Sequence, residues 1–543
     1  MASVFQPRKQ ERGGPLSCYH HVMTAHPIDR RPSPPQGLGR QEEAIAFLGD
    51  PRAHDGQAVE RIDTHAALVF LAGDRALKLK RAVRYPYLDY STVEKRHAAC
   101  LAELAINRRT APALYRDVVA LRRGADGQLF LDAGEGEGEA VDWLVSMTRF
   151  PDDALFDRMA ERHRLPPDLM RRLAERIAAF HREAAPRPDG GGAEAMRAVA
   201  DGNLEDLRTA PDLFAEALVA RLAERSAAAL DRLAPLLEER RRSGFVRHGH
   251  GDLHLRNIVL LDGEPTLFDA IEFDEALAVA DVFYDLAFLL MDLDHRGLRR
   301  LGNLVLNRYL EETEDYGGLA ALPLFLSLRA AVRAKVLAAA LRLGGTASGL
   351  AEEARRYLDH ALAALDPAPA RLVAVGGLSG TGKTRLAEGL APGLGPAPGA
   401  VVLRTDVLRK RLCGVADTDR LPEDGYAPAV TERVYAELYR RAAAVLAAGH
   451  AVVVDAVSAR PEERRRLAMV AADSGVRFDG IWLDAPLTAR AERVANRRND
   501  ASDATAEVVE RQESYDLGTI DWTRLDAGRV AADVLDEARA SLA

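Results

Sequence analysis

The chain has 543 residues, enough for two or three domains, and its 48% hydrophobic and 29% charged content is that of ordinary globular protein rather than disordered or membrane protein. A net charge of −9 argues against a dedicated nucleic-acid-binding protein, which needs a basic face to meet phosphates. Cysteines stand only at 18, 100 and 413, without metal-ligand or disulfide-framework spacing, so a reducing, cytoplasmic setting is expected. The apolar run Val282 to Met291 is too short to span a bilayer and is broken by Asp285, so no membrane association is expected.

Residues 1–40 carry Pro, Gly, Arg and His without an apolar signal segment, and read as a disordered tail. Folded structure is expected from about Gln41, with a short helix over Glu42 to Leu48. Ala66 to Leu71 and Arg75 to Lys80 flank Gly73-Asp74 and predict a β-hairpin. Ser91 to Arg109 predicts a helix, Ser91 serving as N-cap with Glu94 at capping-box spacing. Val118 to Leu121 and Val141 to Met147 predict two strands around a Gly- and Asp-rich turn region at 124–138, which together suggest a small α+β lobe. From 152 to 243 the pattern is helical; Leu213 to Arg242 ends in Arg240-Arg241-Arg242-Ser243-Gly244, a helix C-terminus signal. Strand-like pieces at 256–269 precede more helices up to about 365. Asp366-Pro367-Ala368-Pro369-Ala370 reads as a stiff linker and domain boundary. Beyond it, Arg371 to Val375, Val401 to Leu403, Val452 to Val454 and Ile481 to Leu483 alternate with helical segments, the pattern of a parallel α/β sheet in a domain over 371–543.

Gly377-Leu378-Ser379-Gly380-Thr381-Gly382-Lys383-Thr384 fits the P-loop pattern in full, between a predicted strand and helix. The glycines let backbone N–H groups wrap a phosphate, and the helix presents its positive end to it. Lys383 is expected to reach the β- and γ-phosphates of ATP, and the Thr384 hydroxyl to ligate Mg²⁺. Asp455 ends the apolar run Ala451 to Val454, where an acid orients the metal. Asp406 and Arg409 form Asp-x-x-Arg at the end of the preceding strand, which sets carboxylate and guanidinium on neighbouring turns. The segment 371–520 resembles small P-loop kinases of the gluconate kinase, polynucleotide kinase and zeta-toxin type. That resemblance implies that Asp406 deprotonates an acceptor hydroxyl and that Arg409 binds substrate or its phosphate. It also implies that Arg490, Arg493, Arg497 and Arg498, before Ser502-Asp503-Ala504, belong to a lid; Arg493 and Arg497 are its expected nucleotide contacts.

His250-Gly251-Asp252-Leu253-His254-Leu255-Arg256-Asn257 matches the H-G-D-x-x-x-x-N loop of aminoglycoside phosphotransferases and their choline-kinase-like relatives. The resemblance covers about 45–310 and implies Asp252 as catalytic base, Asn257 as metal ligand and His250 as a brace for the loop. It places a second metal ligand on the next strand end, where Asp269 is preferred and Glu272 and Asp274 compete. Asp281 and Asp285 are expected to cap the following helix and support the loop. Upstream, Ala76-Leu77-Lys78 resembles the phosphate-binding strand of kinases, with Lys78 favoured over Lys80. Glu103 is preferred over Glu94 as its helix partner, and Met147 to Pro151 resembles the hinge that reads adenine. A kinase-like domain over 41–365, with lobes at about 41–150 and 151–365, is the expectation.

The expected fold class is an α+β, protein-kinase-like, two-lobed domain followed by an α/β P-loop NTPase domain with a parallel sheet. The expected function is transfer of the ATP γ-phosphoryl group to a hydroxylated small-molecule acceptor, with Mg²⁺, at two nucleotide sites. Two alternatives stand beside it: an ATP-responsive regulator of a partner protein, and an antibiotic-modifying phosphotransferase. No sequence feature points to an oligomeric state.

Overall fold

The computed structural model describes residues 38–64, 66–85, 88–132, 138–342, 349–417, 419–496 and 501–543. Of the expected tail at 1–40, residues 1–37 lie outside the described residues, as do Arg497 and Arg498, while 38–40 already belong to the first helix. The chain divides into two compact units between Phe150 and Pro151.

In the first unit, helix α1 (Leu38–Leu48) precedes strands β1 (Val59–Asp63), β2 (Ala67–Ala72) and β3 (Arg75–Lys80). A two-residue ladder of β4 (Arg84–Tyr85) and β5 (Leu88–Asp89) leads into α2 (Val93–Asn107), followed by β6 (Tyr115–Arg123), β7 (Leu129–Asp132) and β8 (Glu139–Thr148). Six of these strands form an antiparallel sheet in the order β1-β2-β3-β8-β6-β7. Alternation in β2 and β3 sends Leu68, Phe70, Leu77 and Leu79 into a core with Ala44 and Leu48 of α1. The expected hairpin is present as β2 and β3. Three local readings needed correction. Thr92 caps α2, accepting from Lys95 N at 3.3 Å, while the Ser91 hydroxyl is spent on Asp89 at 2.5 Å. Part of the turn region at 124–138 forms β7, and β1 escaped notice because its sequence, Val-Glu-Arg-Ile-Asp, is mostly exposed edge.

The second unit opens with helices α3 (Phe156–Glu161), α4 (Pro167–Glu183), α5 (Gly192–Arg208) and α6 (Glu216–Arg242). Short strands β9 (Val246–His248), β10 (Ile258–Leu261) and β11 (Glu264–Leu267) carry the His-Gly-Asp loop, and α7 (Glu275–Ala278) and β12 (Val279–Asp281) return the chain beside β9. Helices α8 (Val282–His295), α9 (Arg299–Thr313), α10 (Leu322–Arg342) and α11 (Leu350–Ala364) complete the helical part. α8 and α10 are buried along most of their length, because apolar residues fall around both helices and leave few positions for charge.

After residues 366–370 come β13 (Arg371–Gly376), α12 (Lys383–Leu390), β14 (Val401–Arg404), α13 (Thr405–Leu412), α14 (Pro428–Ala447) and β15 (Val452–Asp455). The chain closes with α15 (Pro461–Asp473), β16 (Arg477–Asp484), α16 (Leu487–Ala495), α17 (Ala506–Gln512), β17 (Thr523–Asp526) and α18 (Ala531–Leu542). The sheet runs β14-β15-β13-β16-β17 with every neighbouring pair parallel. β13, at its centre, is flanked by β15 and β16, so the loop after it opens at a point where the strand order reverses, the place where open α/β sheets bind ligands. This is the expected P-loop sheet with one strand more, β17, whose Thr-Arg-Leu-Asp offers only one buried side chain as a signal.

Candidate active sites

In the first unit the two-residue period of β3 sets Lys78 and Lys80 on one face. Both meet Glu103 of α2, which is fully buried: Lys78 Nζ lies 2.8 Å from Oε1 and Lys80 Nζ 2.7 Å from Oε2. The two lysines between which the sequence left a choice thus share one carboxylate. Lys80 keeps 2% of its side chain exposed and Lys78 14%, so Lys78 is the one whose ammonium a ligand can approach. Glu94 is exposed on the first turn of α2.

In the second unit the His-Gly-Asp loop hangs from a buried carboxylate. Asp285 of α8 accepts from His250 N at 2.8 Å and Gly251 N at 2.9 Å, and its Oδ2 lies 3.1 Å from His181 Nε2. Burial opposes the Asp285 charge, but His181, His250 and Arg329 together hold its pKa far below the usual carboxylate range. The His250 ring is fully buried and donates through Nε2 to Phe268 O at 2.9 Å; burial drives its pKa down. Gly251 takes φ +80, and a Cβ there would press on Ile271 at 3.0 Å. Asp281 caps α8 through Phe283 N at 2.9 Å and pairs with Arg240 at 2.7 Å.

Asn257 Nδ2 donates to the Asp252 carboxylate at 2.9 Å and to its carbonyl at 3.0 Å. That commits the amide nitrogen and leaves the oxygen as the group able to ligate a cation. His254 Nε2, 3.3 Å from Asp252 Oδ2, is a second neighbour of the carboxylate that the motif alone did not single out. Asp269 is drawn to the same loop by its flanks: Phe268 N donates to Asn257 O and Ile271 N to His250 O, each at 3.0 Å. Its backbone is left-handed at φ +62, a conformation that Asp tolerates better than most residues. Of the three candidate acids, Asp269 is the one enclosed by these bonds; Glu272 and Asp274 follow them in the chain.

The P-loop joins β13 to α12. Gly377 takes φ +138 and Gly380 φ +84, and a Cβ on Gly380 would come within 2.5 Å of Arg490 O, so the second glycine is required by space as well as by angle. Gly382, at φ +95, is the N-cap of α12. Ser379 N is held by Gln512 Oε1 at 2.7 Å and the Thr381 hydroxyl by Leu378 O at 2.8 Å, while Lys383 Nζ reaches Leu378 O at 3.2 Å. Thr384 Oγ1 donates to Asp455 Oδ2 at 2.6 Å, and Arg404 Nε lies 3.5 Å from the same oxygen. Hydroxyl and carboxylate oxygens are hard donors of the kind Mg²⁺ takes. Asp406, on the first turn of α13, has its pKa raised by burial and then by the Asp455 carboxylate, against the pull of Arg404, Lys383 and Ser502.

Arg409 donates to Gly425 O at 2.9 Å and Thr431 Oγ1 at 3.1 Å and lies over the Tyr426 ring, so here it buttresses the segment after α13. Asp503 joins the same segment, accepting from Leu421 N at 2.9 Å and the Tyr426 hydroxyl at 2.8 Å and pairing with Lys410 at 3.1 Å. Arg493 binds two peptide oxygens, Gly380 O at 3.4 Å and Ala527 O at 2.8 Å, tying α16 to the P-loop. Gln512, Lys410 and Arg404 had no motif to announce them, since each acts on a residue far away in sequence.

Residues 70–322 match the phosphotransferase enzyme family and residues 372–515 an AAA domain family. The choline/ethanolamine kinase family protein from Mesorhizobium loti aligns over 60% of this chain and 99% of its own, at 15% identity and TM-score 0.37. The Mycobacterium tuberculosis APS kinase CysC, in complex with AMPPNP and APS, aligns over 32% of this chain and 98% of its own, at 23% identity and TM-score 0.25. The class is therefore a kinase-like α+β domain followed by a P-loop kinase domain. The uncharacterized Mycobacterium tuberculosis protein Rv2004c (strain ATCC 25618 / H37Rv) is 33% identical over 471 residues, 84% of this chain and 90% of its own length, and the chain belongs to its family.

Proposed function

We propose that the chain is an ATP-dependent phosphotransferase with two nucleotide sites, each moving the γ-phosphoryl group of ATP to a hydroxyl of a small-molecule acceptor. The observation that carries this reading is that an expected base and an expected cation-binding oxygen lie close together twice. Asp252 is held by Asn257 in one place, and Asp406 feels the charge of Asp455, itself bonded to Thr384, in the other.

At the first site Asp252 accepts the acceptor's proton, His254 and Asn257 fix the carboxylate, and Asp285 holds the loop that presents it. At the second site the P-loop N–H groups and Lys383 hold the phosphates and Asp406 takes the proton. Its raised pKa makes Asp406 a stronger base than an ordinary aspartate. Asn257 with Asp269, and Thr384 with Asp455, would hold Mg²⁺, which when bound screens phosphate charge during transfer. The catalytic residues of this reading are Asp252, Asp406, Lys383 and Arg409. Lys78, Glu103, Arg493 and Arg497 serve the nucleotide.

The test is ATP turnover by the full chain against pools of hydroxylated metabolites. Asp252→Asn and Lys383→Ala are each expected to remove a different subset of activities, by about a hundredfold or more. If neither substitution lowers any phosphoryl transfer, the chain is not a phosphotransferase.

A further inference from the structure

Beside the His-Gly-Asp loop the second unit gathers three arginines from three elements. Arg256 stands next to Asn257 on the loop itself, Arg296 ends α8, and Arg333 projects from α10. Their charges are unequally answered. Arg296 Nε is bonded to Asp292 Oδ1 at 2.8 Å, and the other Asp292 oxygen accepts from Leu255 N at 3.1 Å. Arg256 Nε is buried without a hydrogen-bond partner; its nearest carboxylate, Asp157, stops at 3.5 Å. The Arg333 guanidinium lies 5.8 Å from the centre of the Tyr357 ring, and among the described residues no carboxylate pairs with it directly.

Leu255, just before Arg256, donates its N–H to the Asp292 carboxylate that pairs with Arg296, and the Arg333 guanidinium lies over the Tyr357 ring. The nearby acids are already engaged: Asp292 by Arg296, and Asp252 by Asn257 and His254. Tyr357 is fixed in turn by stacking on His295, with ring centres 3.6 Å apart, and His295 is bonded to Glu353 at 2.7 Å. Crowded guanidiniums with unused N–H groups cost free energy unless an anion completes them, and the planar fork suits a carboxylate or phosphate. The Arg256 side chain keeps 37% of its surface exposed, so an anion can reach it from solvent.

We propose that the acceptor phosphorylated through Asp252 is an anionic hydroxy compound, a hydroxy acid or phosphorylated polyol, whose carboxylate or phosphate is read by Arg256, Arg333 and the Tyr357 hydroxyl. This rests on the phosphotransferase reading above. A cationic acceptor such as choline or an aminoglycoside meets the wrong charge here. In the transfer, the acceptor hydroxyl oxygen bonds to the γ-phosphorus of ATP and the bond from that phosphorus to the β-bridging oxygen breaks. The hydroxyl proton passes to the Asp252 carboxylate, and ADP leaves.

The experiment uses the full chain carrying Lys383→Ala, so that the P-loop site is silent, with glycerate, gluconate and glycerol 3-phosphate set against glycerol, glucose, choline and kanamycin. ADP formation is expected with anionic acceptors only, the carboxylate and phosphate arms separating the two anion types. Arg333→Gln and Arg256→Gln should each raise the anion KM about ten- to hundredfold, and Arg333→Lys should recover part of the loss. Anion binding by calorimetry to the Asp252→Asn protein supplies a readout without turnover, and it should weaken by the same factors. Arginine-dependent binding with no turnover of any acceptor would keep the anion site and sink the phosphotransferase reading. Asp252-dependent turnover of neutral or cationic acceptors, with anions inert, would keep that reading and overturn the anion site. A fall in kcat at unchanged anion KM and binding would place the arginines on the transferred phosphoryl group, and overturns the proposal as well.

Discussion

Asp406 shows how one side chain sets chemistry against stability. Its pKa is raised first by burial and then by Asp455. An acid whose folded pKa lies above its unfolded value contributes stability that is full below the unfolded value and lost as pH rises through the folded one. Near neutrality Asp406 therefore weakens the fold, and Asn, which resembles the protonated acid, should not. Asp406→Asn is expected to melt above the unsubstituted protein at pH 7, with the gap closing as pH falls towards 3.8, and to lose transfer at the P-loop site. Calorimetric melts across that range check it; a lower melting temperature at pH 7 would contradict the sign. At this scale the sequence was informative where chemistry is local. The P-loop, the Asp252 to Asn257 spacing and Asp455 at a strand end were all legible, because each is a few residues of strand, turn and helix. The choice between Lys78 and Lys80 was not, since the sharing of Glu103 depends on how α2 lies along the sheet.

Among elements, α9 has a part that its sequence hides. β14 is an edge strand, and its outer hydrogen-bonding side is met by an asparagine side chain instead of another strand. Asn307 Oδ1 accepts from Val402 N at 2.7 Å and its Nδ2 donates to Ala400 O at 3.2 Å, while Asn303 also binds Ala400 O at 2.9 Å. Asn307→Ala would leave Val402 N unanswered at a covered edge and Ala400 O with Asn303 alone. It is expected to cost about 1–3 kcal/mol in urea unfolding while leaving ATP affinity unchanged. A neutral result would mean that water replaces the amide at no cost. The same helix sends Arg308 to Asp417 at 2.8 Å, in the segment that leads to Tyr426, which donates to Asp503.

For the molecule as a whole, the stiff run Asp366 to Ala370 looked like a boundary, yet packing continues past it. One apolar core in the second unit includes Leu286, Leu306 and Leu358 from the helical part and Val401, Leu438 and Trp482 from the P-loop part. Arg441 adds a bond to Glu314 at 2.6 Å. The expected outcome is that residues 371–543 expressed alone unfold at a lower urea midpoint than the same segment within the chain, since each apolar side chain newly exposed costs about 1.5–3 kcal/mol. Equal midpoints, read from Trp482 and Trp522 fluorescence in a Trp143→Phe background, would show that the two parts are energetically independent.

The sequence by itself determined the two kinds of domain, their order and both phosphate-chemistry loops, because P-loops and His-Gly-Asp loops are specified by neighbours in the chain. Tertiary structure decided what only distant segments can build. It brought Lys78 and Lys80 to one glutamate, hung the His-Gly-Asp loop from Asp285, and laid Arg333 over the Tyr357 ring. The physical reason is range: backbone conformation answers to nearby residues, whereas burial and charge pairing answer to whatever the fold places alongside.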